Sequence, residues 1–247
     1  MNVNFGGIVD ISTVDYPDKV SSVVFLSGCN FRCPFCFNTN LVDGPSQEVD
    51  TDFIVDSIKK NNLIDGVVIT GGEPTLQRDA LFDLCSKFKQ LGLLVKVDTN
   101  GSFPDVIKSL IDAKLVDYVA LDVKSALHPV HYSKAIGIQS GVIPVRVKET
   151  MNILTSSRID YECRCPIVPG LNDDPEVLKQ QAHDVLASKV FVLEQFTPDK
   201  GTLDPNLNAV KVSADKLNEY GKFFRNYVVK VRSFDYGEKV HLSCGCD

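Results

Sequence analysis

Short β-rich runs alternate with amphipathic segments along almost the whole chain. That order restricts the fold more than any single motif does. Residues 21–26 (SSVVFL), 65–70 (DGVVIT), 93–98 (LLVKVD), 116–124 (VDYVALDVK), 159–168 (IDYECRCPIV), 189–196 (KVFVLEQF) and 228–234 (VVKVRSF) read as strands. Helical patterns lie between them at 50–62, 78–92, 103–114, 146–157 and 213–227, and 169–187 reads as a loop and then a helix with Asp or Pro near its start. In 78–92, Leu81, Leu84, Cys85 and Phe88 share one face and Gly92 closes the segment. In 103–114, Pro104 falls in the first turn, where a missing N–H costs nothing. About six strand–helix units in succession imply a parallel sheet with right-handed crossovers, hence an α/β fold. The length of 247 residues suits one barrel of alternating strands and helices. Residues 1–234 read as one domain. The stretch 125–145 is looser, with Pro129, Gly137, Gly141 and Pro144, and the tail 235–247 falls outside the pattern.

Hydrophobic residues make up 44% of the chain and the net charge is −6. A core of that size stands without staples, and no excess of cations exists to bind a phosphate backbone. Broad binding to nucleic acid is therefore not expected, while a local basic groove stays open as an alternative. The first twenty residues have no basic run followed by an apolar one, and no stretch reaches membrane-spanning length, so a cytoplasmic protein is expected. In that compartment the eight cysteines read as metal ligands, catalytic groups or core fillers before disulfides.

Three of them, Cys29, Cys33 and Cys36, stand as C-x3-C-x2-C just after the first barrel strand. A closed zinc site needs four ligands. Three thiolates on a four-iron cluster leave one iron open for a substrate or cofactor. The alternative is a zinc whose fourth ligand lies elsewhere. Other candidate sites also follow strands: GGEP (71–74), TNG (99–101) and Lys124. Barrels of this kind collect their chemistry at strand C-terminal ends.

With Phe35 just before the last cysteine, the loop resembles that of the radical S-adenosylmethionine enzymes. The resemblance implies a partial (βα)6 barrel of TIM type, with a [4Fe-4S] cluster on Cys29, Cys33 and Cys36. S-adenosylmethionine would chelate the open iron and be cleaved by one electron to a 5′-deoxyadenosyl radical. Gly71, Gly72, Glu73 and Pro74 match the loop that receives the methionine ammonium group. VDTNG (97–101) and LDVK (121–124) resemble a narrower group, the glycyl-radical enzyme activases. There Asp98, Asn100 and Asp122 would lie along the ribose and methionine end of the cofactor. Asp98, Thr99 and Asp122, with the Ala120 backbone, would hold a monovalent cation. Lys124, otherwise an ordinary solvated lysine, would face the methionine carboxylate. VPGLND (168–173) resembles the loop lining the adenosine side, through Val168.

The resemblance covers about 5–232. It is nearest to the activating proteins of anaerobic ribonucleoside-triphosphate reductase in their compact form, through VDYP, SGCNFRCPFC, TGGEPTLQ, YECRCPIVPGLND and LEQFTP. Only 34 residues separate Cys36 from Gly71, so no ferredoxin-like insert stands there. The implied reaction removes hydrogen from a backbone glycine of a glycyl-radical reductase, with flavodoxin or ferredoxin as electron donor. No catalytic residue beyond cluster and cofactor is implied. Two departures stand out. Phe37 replaces the usual histidine after the third cysteine, and Cys163 and Cys165 occupy positions that are more often not cysteine.

Cys163 and Cys165 form one C-x-C pair, and Cys244 and Cys246 in the tail form a second. Residues i and i+2 on a strand share a face, so two such pairs brought together would make a second site for zinc or an iron–sulfur cluster. The plainer reading makes Cys163 and Cys165 core fillers, as Cys85 is on its helix. If the pairs bind metal, the radical chemistry acts instead on another peptide, an RNA base or a metabolite. A zinc-binding interaction protein is the reading from a different class. His128 and His131 lie after Lys124 with no carboxylate or thiolate paired to them by spacing.

Overall fold

The computed structural model describes all residues except 45, 200, 209, 225–227, 236 and 243–247, and only the backbone of 240–242. The chain divides into two compact units. The first comprises Met1–Asn30, Asn38–Ala120 and Ser157–Asp160; the second comprises Phe31–Phe37, Leu121–Ser156 and Tyr161–Asp247.

The first unit contains β1 (Asn2–Ser12), β2 (Ser21–Leu26), α1 (Thr39–Val42), β3 (Gln47–Asp50), α2 (Thr51–Ile58), β4 (Gly66–Gly71), α3 (Arg78–Gln90), β5 (Leu94–Thr99), α4 (Pro104–Asp112) and most of β6 (Tyr118–Asp122). Its strand order is β3-β1-β2-β4-β5-β6. β2, β4 and β5 pair in parallel, as the alternation demands, while β1 runs antiparallel to β2 and β3. Val23, Val24, Val67, Val68, Ile69, Val95 and Val97 are buried. A parallel sheet covered on both faces reads as such continuous apolar runs. α3 buries Leu81, Leu84, Cys85 and Phe88, the face its spacing predicts. A helix of 13 residues is marginal in isolation. Burial of about 1.5–3 kcal/mol per large apolar side chain therefore holds it, not propensity. The periodicity predicts no strand before residue 21. β1 escapes it because Gly6 and Gly7 interrupt the pattern and its register shifts between Phe5 and Gly7.

The second unit holds the end of β6, α5 (Pro129–Ile136), α6 (Ile143–Ser156), β7 (Asp160–Ile167), α7 (Pro175–Asp184), β8 (Val190–Gln195), α8 (Ala214–Gly221), β9 (Val228–Ser233) and β10 (Gly237–Leu242). β7, β8 and β9 are parallel. β10 returns antiparallel to β9, so part of the tail continues the sheet. The stretch 125–145 holds a helix that its prolines and glycines hide. Pro129 opens α5, and Gly137 closes it in the left-handed conformation at φ 69°. Among the described residues, no helix is long and apolar enough to cross a membrane.

α7 starts on Asp174, whose carboxylate accepts from the N–H groups of Glu176 (2.9 Å) and Val177 (3.4 Å). Replacing Asp174 by Ala leaves two helix-end donors without this partner. The expected cost is about 1 kcal/mol of stability in urea unfolding. An unchanged midpoint would show that water replaces the cap fully.

Candidate active site

In the first unit the exit loops of three strands are tied together by backbone and buried polar groups. After β2, the Gly28 N–H donates to Leu41 O (2.7 Å). After β4, the Gly72 N–H donates to Leu26 O (2.9 Å) and the Glu73 N–H to Gly28 O (2.8 Å). The start of the cysteine loop is therefore fastened to the GGEP loop. A Cβ on Gly72 would run into the Gly28 carbonyl oxygen, so close backbone approach requires glycine here.

Glu73 is buried, and its side chain points inward. Oε1 accepts from Thr75 N (3.1 Å), Thr75 Oγ1 (2.5 Å) and Thr99 Oγ1 (2.8 Å), and Oε2 accepts from Asn100 N (2.6 Å). Burial pushes the carboxyl pKa up, while these hydrogen bonds pull against it. Glu73 is thus the brace that holds the β5 exit against the β4 exit. Pro74 follows it into a short 3-10 turn. Asn100 carries the tie back to the cysteine loop. Its Nδ2 donates to Asn30 Oδ1 (2.9 Å), and Asn30 Nδ2 donates to Ser102 Oγ (2.9 Å). Asp98 forms an ion pair with Lys96, two residues earlier on the same face of β5.

In the second unit, Phe31–Phe37 turns tightly, with the Cys36 N–H donating to Cys33 O (3.0 Å). Arg32 N bonds Ile136 O (2.8 Å), and Asp204 N bonds Pro34 O (3.0 Å). Phe35 is buried edge-to-face against Phe196, ring centroids 6.4 Å apart. Lys124 Nζ lies 5.8 Å from the centre of the Phe35 ring. It also donates to Asp122 Oδ2 (3.0 Å). Burial works against the charge of Lys124, but Asp122 and Cys33 outweigh it and the ammonium is held protonated.

Asp122 takes a second cation, Arg164, through Nε (3.0 Å) and Nη2 (2.9 Å). Burial raises the Asp122 pKa, but Arg164 and Lys124 together bring it down to about 2. Asp122 is thus shared by two cations. Lys124 keeps 14% of its side chain exposed, enough for a ligand oxygen to reach it. A cationic nitrogen within reach of solvent is what a ligand carboxylate needs.

Sequence reasoning missed Arg164 and Tyr132. Arg164 sits between the two cysteines that drew attention, and strand alternation puts it on the face they do not use. Tyr132 is fully buried, and its hydroxyl makes no well-formed hydrogen bond. It faces Lys124, Cys33 and Asp122.

Cys163 and Cys165 lie on the opposite face of β7 from Glu162 and Arg164. Glu162 and Arg164 pair with Arg232 and Asp122 respectively. Both thiols are buried. Ser188 lies at Cys163, and the Asn172 amide lies 3.6 Å from the Cys165 sulfur. Burial pushes both thiol pKa values up to about 12, so both are neutral. Cys244 and Cys246, the other half of the expected second metal site, lie outside the described residues. Cys85 is buried in the same manner.

Val168 is likewise buried in its loop. Its N–H donates to Asn172 Oδ1 (2.8 Å), and Asn172 Nδ2 donates to the Lys124 and Pro166 carbonyls (2.8 and 2.9 Å). The His128 and His131 rings face each other at 5.3 Å. Among the described residues no three His, Cys, Asp or Glu side chains are gathered as a ready metal site.

A sequence model of the Radical SAM superfamily matches residues 23–181. A protein of Methanocaldococcus jannaschii named "Putative glycyl-radical enzyme activating enzyme" is 34% identical over 232 residues, covering 94% of this chain and 95% of that one. Pyruvate formate-lyase 1-activating enzyme of Escherichia coli strain K12 is 27% identical, over 85% of this chain and 78% of that one. Among solved structures, a radical SAM methyltransferase from Sphaerobacter thermophilus superposes with a TM-score of 0.67 at 14% identity. It covers 88% of this chain and 67% of that one. That likeness speaks to the fold alone.

Two outcomes follow from the site. Under native, metal-free conditions, iodoacetamide should modify the partly exposed Cys29 and Cys36, while Cys85, Cys163 and Cys165 react only on unfolding. Mass spectrometry of the labelled chain reads this directly; fast labelling of Cys163 would contradict the burial. The second outcome concerns acid. Stability from ionised Asp122 is complete above the ordinary carboxylate range and is lost as pH falls toward about 2. Asp122→Asn should flatten the fall in unfolding free energy between about pH 5 and about pH 2. Parallel acid limbs in the two proteins would show that Asp122 gains nothing from its cations.

Proposed function

Because the chain belongs to the radical S-adenosylmethionine superfamily, we propose that it generates a glycyl radical on a partner enzyme, the anaerobic ribonucleoside-triphosphate reductase. It is an enzyme of the radical SAM class. The observation that carries the finer reading is the near full-length similarity to a protein named as a glycyl-radical enzyme activator. The reductase as target rests on the segments VDYP, YECRCPIVPGLND and LEQFTP and on the short span between Cys36 and Gly71.

The residues present fit the cofactors this family implies. Three cysteines on one short loop supply thiolates for a [4Fe-4S] cluster. The buried hydroxyl of Tyr132 and the ammonium of Lys124 lie on the Cys33 side. Both are donors suited to a sulfur-rich anion and a carboxylate. Cluster and S-adenosylmethionine together supply one-electron cleavage of a sulfonium and a hydrogen-abstracting radical.

The chain's own residues do the positioning. Lys124, with Arg164 sharing Asp122, holds the methionine carboxylate. The backbone of Gly71 and Gly72 receives the ammonium, since the Glu73 side chain is occupied as a brace. Asp98 takes the ribose side, and Phe35, packed edge-to-face on Phe196, holds the loop in shape. A glycyl radical is delocalised between amide nitrogen and carbonyl, so no acid or base is needed. Flavodoxin or ferredoxin is the proposed electron donor and the cytoplasm the proposed location. No second metal is part of this reading.

The test mixes the anaerobically reconstituted, reduced enzyme and S-adenosylmethionine with the reductase. The expected result is a glycyl doublet in the electron paramagnetic resonance spectrum, absent with Cys33→Ala. Lys124→Ala should keep the cluster and raise the KM for S-adenosylmethionine by about tenfold or more. Cleavage of S-adenosylmethionine without a reductase radical would move the function to another substrate of the same chemistry.

A further inference from the structure

The three side chains expected to ligate a monovalent cation are each already engaged. Thr99 Oγ1 donates to Glu73 (2.8 Å) and accepts from the Gly101 N–H (3.1 Å). Asp122 carries Lys124 and Arg164. Asp98 carries Lys96. A bound cation does not fit this donor set. The reason is visible in β5: Lys96 and Asp98 stand at i and i+2 on one face, and the lysine is the more deeply buried.

Lys96 is 1% exposed and Asp98 is 13% exposed. The ammonium lies 5.9 Å from the centre of the Tyr118 ring. Tyr118 in turn packs on Tyr16 at 5.8 Å, within a core of Val23, Val68, Phe25 and Leu94. Lysine is rarely buried to this degree without a partner. Here one carboxylate oxygen and one aromatic face supply it. An ammonium group is close to potassium in size and charge, and this one is tethered. Lys124 remains reachable from outside, whereas Lys96 does not. Lys96 thus lacks the exposure to bind a ligand and has the geometry to hold Asp98.

We propose that Lys96 is a built-in cation, a positioning residue whose ammonium fixes Asp98 where a monovalent ion would otherwise be bound. The enzyme then needs no potassium or sodium from solution. The inference rests on the proposed function only in taking Asp98 as a cofactor-side carboxylate.

The full-length reconstituted enzyme is compared in potassium, sodium and choline chloride at equal ionic strength. Two quantities are read: 5′-deoxyadenosine formation, and broadening of the sodium NMR line that potassium reverses. The wild type should form product at rates within roughly twofold in all three salts and leave the sodium line sharp. Lys96→Met leaves Asp98 without its ammonium. It should lose about tenfold or more in choline, regain activity with potassium, and broaden the sodium line. Lys96→Met with Asp98→Asn should show no potassium response.

A saturable potassium requirement or sodium binding in the wild type overturns the proposal, and needs no variant to fold. So does a folded Lys96→Met that behaves alike in choline and potassium. If no salt supports cleavage of S-adenosylmethionine, the proposed function fails instead. The sodium line still decides the role of Lys96.

Discussion

Buried polar side chains that satisfy the loops after the parallel strands are what the rest of this structure depends on. A strand exit leaves backbone N–H and carbonyl groups that have lost their ladder, and burying them unpaired costs about 1–3 kcal/mol each. In the first unit Glu73 answers with four accepted hydrogen bonds, reaching Thr75, Thr99 and Asn100. In the second unit Asn172 does the equivalent work, binding Val168, Pro166 and Lys124 through their backbones. Both braces sit in motifs that look like ligand-binding loops. Both hold such loops in shape by using their own polar atoms on the protein.

The charges show the same logic at a second level. Three clusters are buried or half-buried: Lys96 with Asp98 and Lys124 with Asp122, each at i and i+2 and the latter joined by Arg164, and Arg232 with Glu162, Glu194 and Glu238 from other strands. Buried ion pairs seldom add much net stability over apolar packing. Their value is specificity of place. Lys96 is sealed and holds a carboxylate. Lys124 keeps 14% of its side chain exposed and shares Asp122 with Arg164. Accessibility separates the two lysines: one is closed to a ligand and the other is open to one.

Much of this was legible in the sequence. Alternation located most of the parallel strands and the helix face of Leu81, Leu84, Cys85 and Phe88, because periodicity reports burial directly. Spacing marked out Cys29, Cys33 and Cys36, position after a strand marked out GGEP, and the family resemblance alone singled out Lys124. β1, with its glycines, and α5, opened by Pro129 and closed by Gly137, were hidden because the residues that shape their ends read as breakers. Lys96 and Arg164 were passed over because a lysine or arginine is solvated by default. The available signal was an opposite charge two residues away on a strand of otherwise buried residues. The inward turn of Glu73 was not legible at all. A carboxylate in a glycine loop reads the same whether it faces a ligand or its own backbone. Cys163 and Cys165 illustrate the reverse case, in which a conspicuous pair occupies the face of β7 turned from Glu162 and Arg164.

The account's central claim is that this chain removes a hydrogen atom from a backbone glycine of its partner. The most direct measurement supplies the reductase with α-dideuterated glycine and analyses the 5′-deoxyadenosine by mass spectrometry. The account predicts one deuterium transferred per 5′-deoxyadenosine formed, in step with the partner's radical. Deuterium-free product formed in the presence of the labelled reductase would contradict it.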